Sequence, residues 1–296
     1  MSFRSEKILS LAGVDFNHSK EDDLIAQFNK YLKNGMHGIC FSSYLDGQEP
    51  GSIITAEQIQ ERIEIIKPYT KWIRTFSCTD GNELIPVIAK ENGLKVMVGA
   101  WLSDDKELNE KEVVNLIKVA KAGDADLVAV GNEVLYREEL NEEELLGYIR
   151  QVKKALPGIE VGYVDAYYEF VNRPAITEAC DVIFANCYSF WEGCHIDYSH
   201  VYMQNMYFQA VRAANGKRVI ISETGWPNVG TAFEGAEPNT ENALRYFINT
   251  QKWSREENIE LMYFSSFDES WKVGAEGDVG AYWGLWDKHG KLKYQK

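Results

Sequence analysis

Eight short, almost wholly apolar runs recur along the chain, at 38–42, 72–76, 94–100, 127–131, 160–164, 182–187, 219–222 and 261–266. They are rich in Val, Ile, Phe and Tyr and do not alternate with polar residues, so each reads as a strand covered on both faces. Amphipathic helical stretches lie between them. Strand and helix in regular alternation specify a parallel sheet, and eight such repeats specify a closed (β/α)8 barrel of the α/β class. At 296 residues the chain suits one barrel domain over its whole length, with the barrel proper at about 38–291. It contains no linker, repeat or low-complexity stretch. A doubly wound sheet, the other fold with this alternation, is unsupported, because neither a G-x-G-x-x-G nor a Walker A loop occurs.

The helices carry start signals. Thr55 with Gln58, Asn109 with Glu112, and Asn141 with Glu144 have capping-box spacing. Behind the first, Ile59, Ile63 and Ile66 share a face and Pro68 marks the end; behind the third, Leu145, Ile149, Val152 and Leu156 do the same. A further helix is predicted at about 241–254, with Leu244, Phe247 and Ile248 inward. A helical extension at 22–33 precedes the first strand and is expected to close the bottom of the barrel.

Composition narrows the partners. A net charge of −14 opposes binding to nucleic acid, whose phosphates demand Lys and Arg, and suits a neutral substrate. No apolar run is long enough to span a membrane. Eight Trp, sixteen Tyr and thirteen Phe supply rings for a core and for stacking against the apolar faces of sugars. The odd cysteine count (Cys40, Cys78, Cys180, Cys187 and Cys194), with no C-x-x-C, points to buried free thiols, with Cys187 and Cys194 able to pair. His18, His37, His195, His200 and His289 lack metal-ligand spacing, and G-x-S-x-G is absent, so neither a metal nor an organic cofactor is expected. The opening Met-Ser-Phe-Arg-Ser-Glu-Lys has no apolar leader segment or cleavage site, which leaves the compartment open. Asn17-His18-Ser19 matches a glycosylation sequon.

Two glutamates carry the chemistry. Glu133 follows the fourth run in Gly131-Asn132-Glu133, and Glu223 closes the seventh in Ser222-Glu223-Thr224-Gly225-Trp226-Pro227. Active sites of such barrels sit at the carboxyl ends of the strands, so both project into one mouth. A pair of carboxylates flanking a bond is what glycoside hydrolysis requires: one protonates the leaving oxygen, and the other attacks or activates water.

Several stretches together resemble glycoside hydrolase family 17, the β-1,3-glucanases, within the clan of retaining (β/α)8 glycosidases. They are Trp72-Ile-Arg74-Thr-Phe76, Val128-Ala-Val-Gly-Asn-Glu-Val134, Ile221-Ser-Glu-Thr-Gly-Trp-Pro227, Phe267-Asp-Glu-Ser-Trp-Lys272 and Tyr282-Trp-Gly-Leu-Trp286, in the family's order. The resemblance implies that Glu133 is the general acid/base and Glu223 the nucleophile. It implies that Arg74 and Tyr188 donate to the nucleophile and that Asn132 bonds the sugar 2-hydroxyl. Glu269 and Lys272 are expected to bind substrate hydroxyls or tune the acid. Asn186, Trp191, Trp226, Trp271 and Tyr44 are expected to meet substrate, with Phe190 and Trp101 as further candidates; Trp226 and Trp271 fit the core equally well.

The implied activity is hydrolysis of laminarin-type β-1,3-glucan by double displacement, within chains, by a monomer without cofactor. Transglycosylation, attack from chain ends and catalytically silent glucan binding are the competing readings. The loops after the fifth and sixth runs, near 165–168 and 189–198, are short to moderate and set the cleft's length.

Overall fold

The computed structural model describes residues 13–16, 19–274 and 276–295. The sequon at Asn17 and His18 lie outside the described residues. Eight parallel strands close into a barrel in sequence order, β1 pairing with both β2 and β8. They are β1 (Met36–Cys40), β2 (Thr70–Arg74), β3 (Lys95–Ala100), β4 (Leu127–Asn132), β5 (Val161–Ala166), β6 (Val182–Asn186), β7 (Arg218–Thr224) and β8 (Leu261–Tyr263). Each matches one apolar run, shifted by up to three residues at its ends. Every residue of β4 and β6 is buried, as helices outside and side chains inside demand.

Helices follow the strands: α1 (Glu21–Lys33) before β1, then α2 (Ala56–Ile66), α3 (Ile85–Glu91), α4 (Lys106–Ala122), α5 (Glu142–Ala155), α6 (Tyr167–Asn172), α7 (Pro174–Ala179), α8 (Ile196–Ala213) and α9 (Thr240–Glu256). The capping box at Asn141 and Glu144 forms in both directions. At Thr55 only half of it forms. The threonine hydroxyl accepts from the amide of Gln58, but the Gln58 side chain donates to the Ser43 carbonyl at 2.6 Å instead of returning to the cap.

The Asn109–Glu112 pair is not a cap at all. Helix α4 starts earlier, capped by Asp105, whose side chain accepts from Leu108. Asn109 and Glu112 lie buried inside it and serve neighbouring loops. Glu112 accepts from the amides of Cys78 and Trp101 and from the hydroxyls of Ser77 and Thr79, so it fastens the loops after β2 and β3 to each other.

Helix α1 packs along α9 in the outer ring rather than across the barrel floor. Leu24, Phe28 and Leu32, four residues apart, form its buried stripe. The Phe28 ring lies 4.7 Å from Phe247 of α9 and 5.0 Å from Tyr294 near the carboxyl terminus. Among the described residues β8 is followed only by two 3-10 turns, Ser270–Val273 and Gly277–Tyr282, so α1 supplies cover that a helix after β8 would give. None of the helices is long and apolar enough to cross a membrane, among the described residues. All five cysteines are free thiols; Cys187 and Cys194 do not pair.

The ladders are regular at the bottom and break at the top. Register shifts fall between Ala129 and Asn132, between Ala185 and Asn186, and between Ile221 and Thr224. Such irregularities re-aim side chains. They occur at the carboxyl ends of β4, β6 and β7, where the predicted site residues stand.

Candidate active site

β2 ends on Arg74, whose side chain is only 1% exposed, facing Glu223 near the end of β7 at 8%. Desolvating a guanidinium costs several kcal/mol unless a counter-charge pairs with it. Arg74 Nη1 donates to Glu223 Oε1 at 2.5 Å, and Nη2 donates to Asn132 Oδ1 at 2.5 Å. The planar fork thus ties β2 to β7 and β4 at once. Its face rests on the Phe76 ring, 4.2 Å from the centroid. The other oxygen of Glu223 accepts from the Tyr188 hydroxyl at 2.7 Å. Burial and the Glu223 charge push the Tyr188 phenol well above its ordinary value, so it remains a donor.

Glu133 is set differently. It takes the left-handed region, φ 50°, directly after the strand, and Gly131 two residues before it has φ 87°. That local winding turns the carboxyl inward, toward Glu223. Asn186 Nδ2 donates to Glu133 Oε1 at 2.8 Å, and Asn186 is itself oriented by the Ser222 hydroxyl, which donates to its Oδ1 at 2.8 Å. Burial, followed by the charge of Glu223, raises the Glu133 carboxyl to about 7, with Asn186 opposing the rise. One carboxylate is therefore held by two donors, and its neighbour keeps a proton into the neutral range. Two carboxyl groups with environments this different are suited to different roles.

A third group of side chains stands after β8. Glu269 pairs with Lys272 at 2.6 Å and accepts from the Trp271 indole at 3.1 Å. Lys272 lies 4.4 Å above the Phe264 ring. Trp271 meets Tyr44 edge to face, centroids 6.2 Å apart, and the Tyr44 hydroxyl accepts from Asn82. Trp191 is half-buried against Trp283 and Phe233. Trp226 departs from the expectation of a sugar platform. It is 2% exposed, wedged between Phe190 and Tyr246, with its indole donating to the Glu237 carbonyl, and so belongs to the barrel wall. Phe190 is likewise fully buried. Trp101 carries the Arg137 guanidinium 4.4 Å above its ring.

The sequence reading missed two carboxylates. Asp165, at the end of β5, is buried and raised to about 7, mainly by burial. Glu276 stands near Lys272 and Glu223 and is also raised to about 7 by burial. Asp165 follows Tyr163 at the spacing that puts both on one strand face, the one signal available in the sequence. Glu276 lies in an irregular loop that gives no pattern. Among the described residues no group of three or more His, Cys, Asp or Glu is placed to hold a metal ion.

Residues 38–284 match the model of the BtgE/BtgC glycoside hydrolase domain. The chain belongs to this glycoside hydrolase family. The match runs from within β1 to the turns after β8 and includes every charged residue of the site described above. The family 17 resemblance read from five motifs stands with it. A glucan 1,3-beta-glucosidase of Candida albicans, BGL2, is 30% identical over 258 residues, covering 78% of this chain and 83% of that protein. The glucan 1,3-beta-glucosidase of Saccharomyces cerevisiae is 27% identical over 82% of this chain and 86% of its own length. Among solved structures, an active-site mutant of the Rhizomucor miehei beta-1,3-glucanosyltransferase in complex with laminaritriose superposes with a TM-score of 0.79 at 30% identity, covering 88% of this chain and 96% of that one. A family 17 beta-1,3-glucanosyltransferase from the same organism gives the same values. This BtgE/BtgC-family barrel is thus a glycoside hydrolase with its charged residues gathered at the carboxyl end of the strands.

Proposed function

We propose that the chain cleaves β-1,3-glucan with retention, by double displacement through Glu223 and Glu133. The observation that carries the reading is the asymmetry of the two carboxylates. Glu223 is held by Arg74 and Tyr188 at 2.5 and 2.7 Å, while Glu133 is raised to about 7. In the first step Glu223 attacks the anomeric carbon and Glu133 delivers its proton to the departing glycosidic oxygen. The C–O bond breaks as the glycosyl ester forms. In the second step Glu133, now anionic, takes a proton from water, whose oxygen displaces Glu223 and restores the original configuration. Asn132, locked by Arg74, is the donor for the sugar 2-hydroxyl. Glu269, Trp271, Lys272 and Tyr44 form the polar and aromatic wall against which further sugar units lie. The choice of β-1,3-glucan rests on the names of the relatives and on laminaritriose in the Rhizomucor miehei enzyme.

The first experiment is laminarin and reduced laminari-oligosaccharides, resolved over time, with the anomeric form of the first product read by proton NMR. A spread of medium oligosaccharides appearing early marks attack within chains, the mode we assign. Glucose or a single short product marks attack from chain ends, in keeping with the glucosidase names of the relatives. Release of the inverted anomer, or no release from any β-1,3-glucan, overturns the reading. Transfer to a second sugar is a further reading, favoured by the likeness to the glucanosyltransferase at a TM-score of 0.79. It predicts products longer than the starting oligosaccharide at high substrate concentration.

A further inference from the structure

Double displacement employs Glu133 and Glu223 and leaves Asp165, the buried carboxylate on the strand beside Glu133, without a task. Asp165 is 0% exposed, and so is Tyr163 two residues before it. Their strand, β5, lies beside β4, and the Glu133 amide donates to the Val164 carbonyl at 2.8 Å. Tyr163 sits beneath the turn that carries Glu133: a Cβ placed on Gly131 would come within 3.3 Å of its ring. The Leu135 amide donates to the Tyr163 hydroxyl at 3.0 Å, and that hydroxyl donates in turn to Asp165 Oδ2. Asp165 Oδ1 accepts from the Ala166 amide at 2.7 Å, and the carboxylate also accepts from the Tyr136 amide. Two successive amides of the turn, Leu135 and Tyr136, are thereby anchored to one buried pair. The turn needs an anchor. A left-handed residue other than Gly costs on the order of 1–2 kcal/mol and persists only where surroundings fix it, and Glu133 is such a residue.

We propose that Asp165, acting through Tyr163 and the amides of Leu135 and Tyr136, is a positioning residue for Glu133. It holds the turn so that the Glu133 carboxyl meets the glycosidic oxygen, and where Asp165 is ionised its charge favours the proton on Glu133. The inference rests on the reading of Glu133 as the acid/base. The groups facing Glu133 are Glu223 from β7, Arg74 from β2, Asn186 from β6, Tyr188 beyond it and Asp165 from β5. Those facing Asp165 are Tyr163, Glu169 on α6 and the Tyr168 phenol. Among the charges near Glu133, Glu223 and Asp165 oppose its ionisation, and Arg74 favours it.

The test is Asp165→Asn and Tyr163→Phe, each measured for kcat/KM against pH on laminari-oligosaccharides and on an activated aryl β-laminaribioside, with melting temperature alongside. Asp165→Asn keeps the size and the backbone acceptor but removes the charge. Its alkaline limb is expected to move to lower pH by about half a unit. Tyr163→Phe frees the Leu135 amide. It is expected to lose about tenfold in kcat on the oligosaccharide, which needs the acid, and under about threefold on the aryl substrate, which does not. If Asp165→Asn does not fold, Tyr163→Phe decides alone. Folded variants with an unmoved limb and equal losses on both substrates overturn the proposal and leave the pair as packing. Glu133→Ala, run in parallel, separates the two levels. Wild-type rates in that variant overturn the acid/base assignment itself. A loss confined to the oligosaccharide, beside unaltered Asp165 and Tyr163 variants, overturns only the role of Asp165.

Discussion

Arg74 and Glu223 form a 2.5 Å ion pair with almost no exposure, 149 residues apart in sequence and on strands that do not adjoin. The pair crosses the mouth of the barrel, and the second arm of Arg74 fixes Asn132. Arg74→Lys keeps a positive charge but cannot hold both partners. Kcat/KM on laminari-oligosaccharides is expected to fall about a hundredfold, as when one positioned donor to a transition state is lost. Circular dichroism should still report the barrel. An intact rate in the folded variant would show that the second arm is dispensable.

Glu223→Gln should abolish turnover, by about ten-thousand-fold or more, because an amide forms no glycosyl ester. Mass spectrometry of the wild type with a 2-fluoro glycosyl fluoride should find the sugar on the peptide containing Glu223. Label on another carboxylate would reassign the nucleophile.

Glu133→Ala should slow the oligosaccharide by about a hundredfold or more and spare an activated aryl glycoside in its first step. Added azide should then restore turnover on the aryl substrate, giving the β-glycosyl azide, since a small anion needs no general base. Failure of azide to react would remove Glu133 from the second step.

Asn186→Ala removes the hydrogen bond that favours the anionic form of Glu133. The alkaline limb of kcat/KM should therefore move above its wild-type position near 7, opposite in direction to Asp165→Asn. A pH series on one substrate checks the sign.

Stability should decline across neutral pH. Glu133, Asp165 and Glu276 are each raised to about 7 in the folded chain, whereas the unfolded chain releases the same protons near pH 4. Between those values the folded state binds more protons, so its stability falls as pH rises through the window. The contribution is fully present below about pH 4 and gone above the folded values. Melting temperatures at pH 5.5 and 8 should differ accordingly, and Glu133→Gln should narrow the gap. A wild-type curve that rises from 5.5 to 8 would contradict this.

The barrel was legible because its strands are buried on both faces, so each appears as an uninterrupted apolar run. Glu133 and Glu223 were legible because each ends such a run. The errors share a cause. Asn109 and Glu112 have cap spacing, yet Asp105 starts the helix one turn earlier, and only the three-dimensional position of the loops at Cys78 and Trp101 gives Glu112 its partners. Trp226 stands in a motif three residues after Glu223, but it lies beyond the end of β7, where its ring packs into the wall against Phe190 and Tyr246. Asp165 gave no motif, because its role depends on the neighbouring strand. A single sequence shows which residues a strand offers and not which side of the next strand they face.

Because β8 closes on β1, and the residues of the proposed site come from β2, β4, β5, β6, β7 and the turns beyond β8, neither half of the chain contains the reaction centre. Catalysis is then an all-or-none reporter of ring closure. A half-barrel fragment would have strands, helices and one glutamate, and no chemistry; two halves mixed together would regain the reaction only on assembling the whole ring. New ends could be cut into an outer loop without loss, provided that the ring still closes.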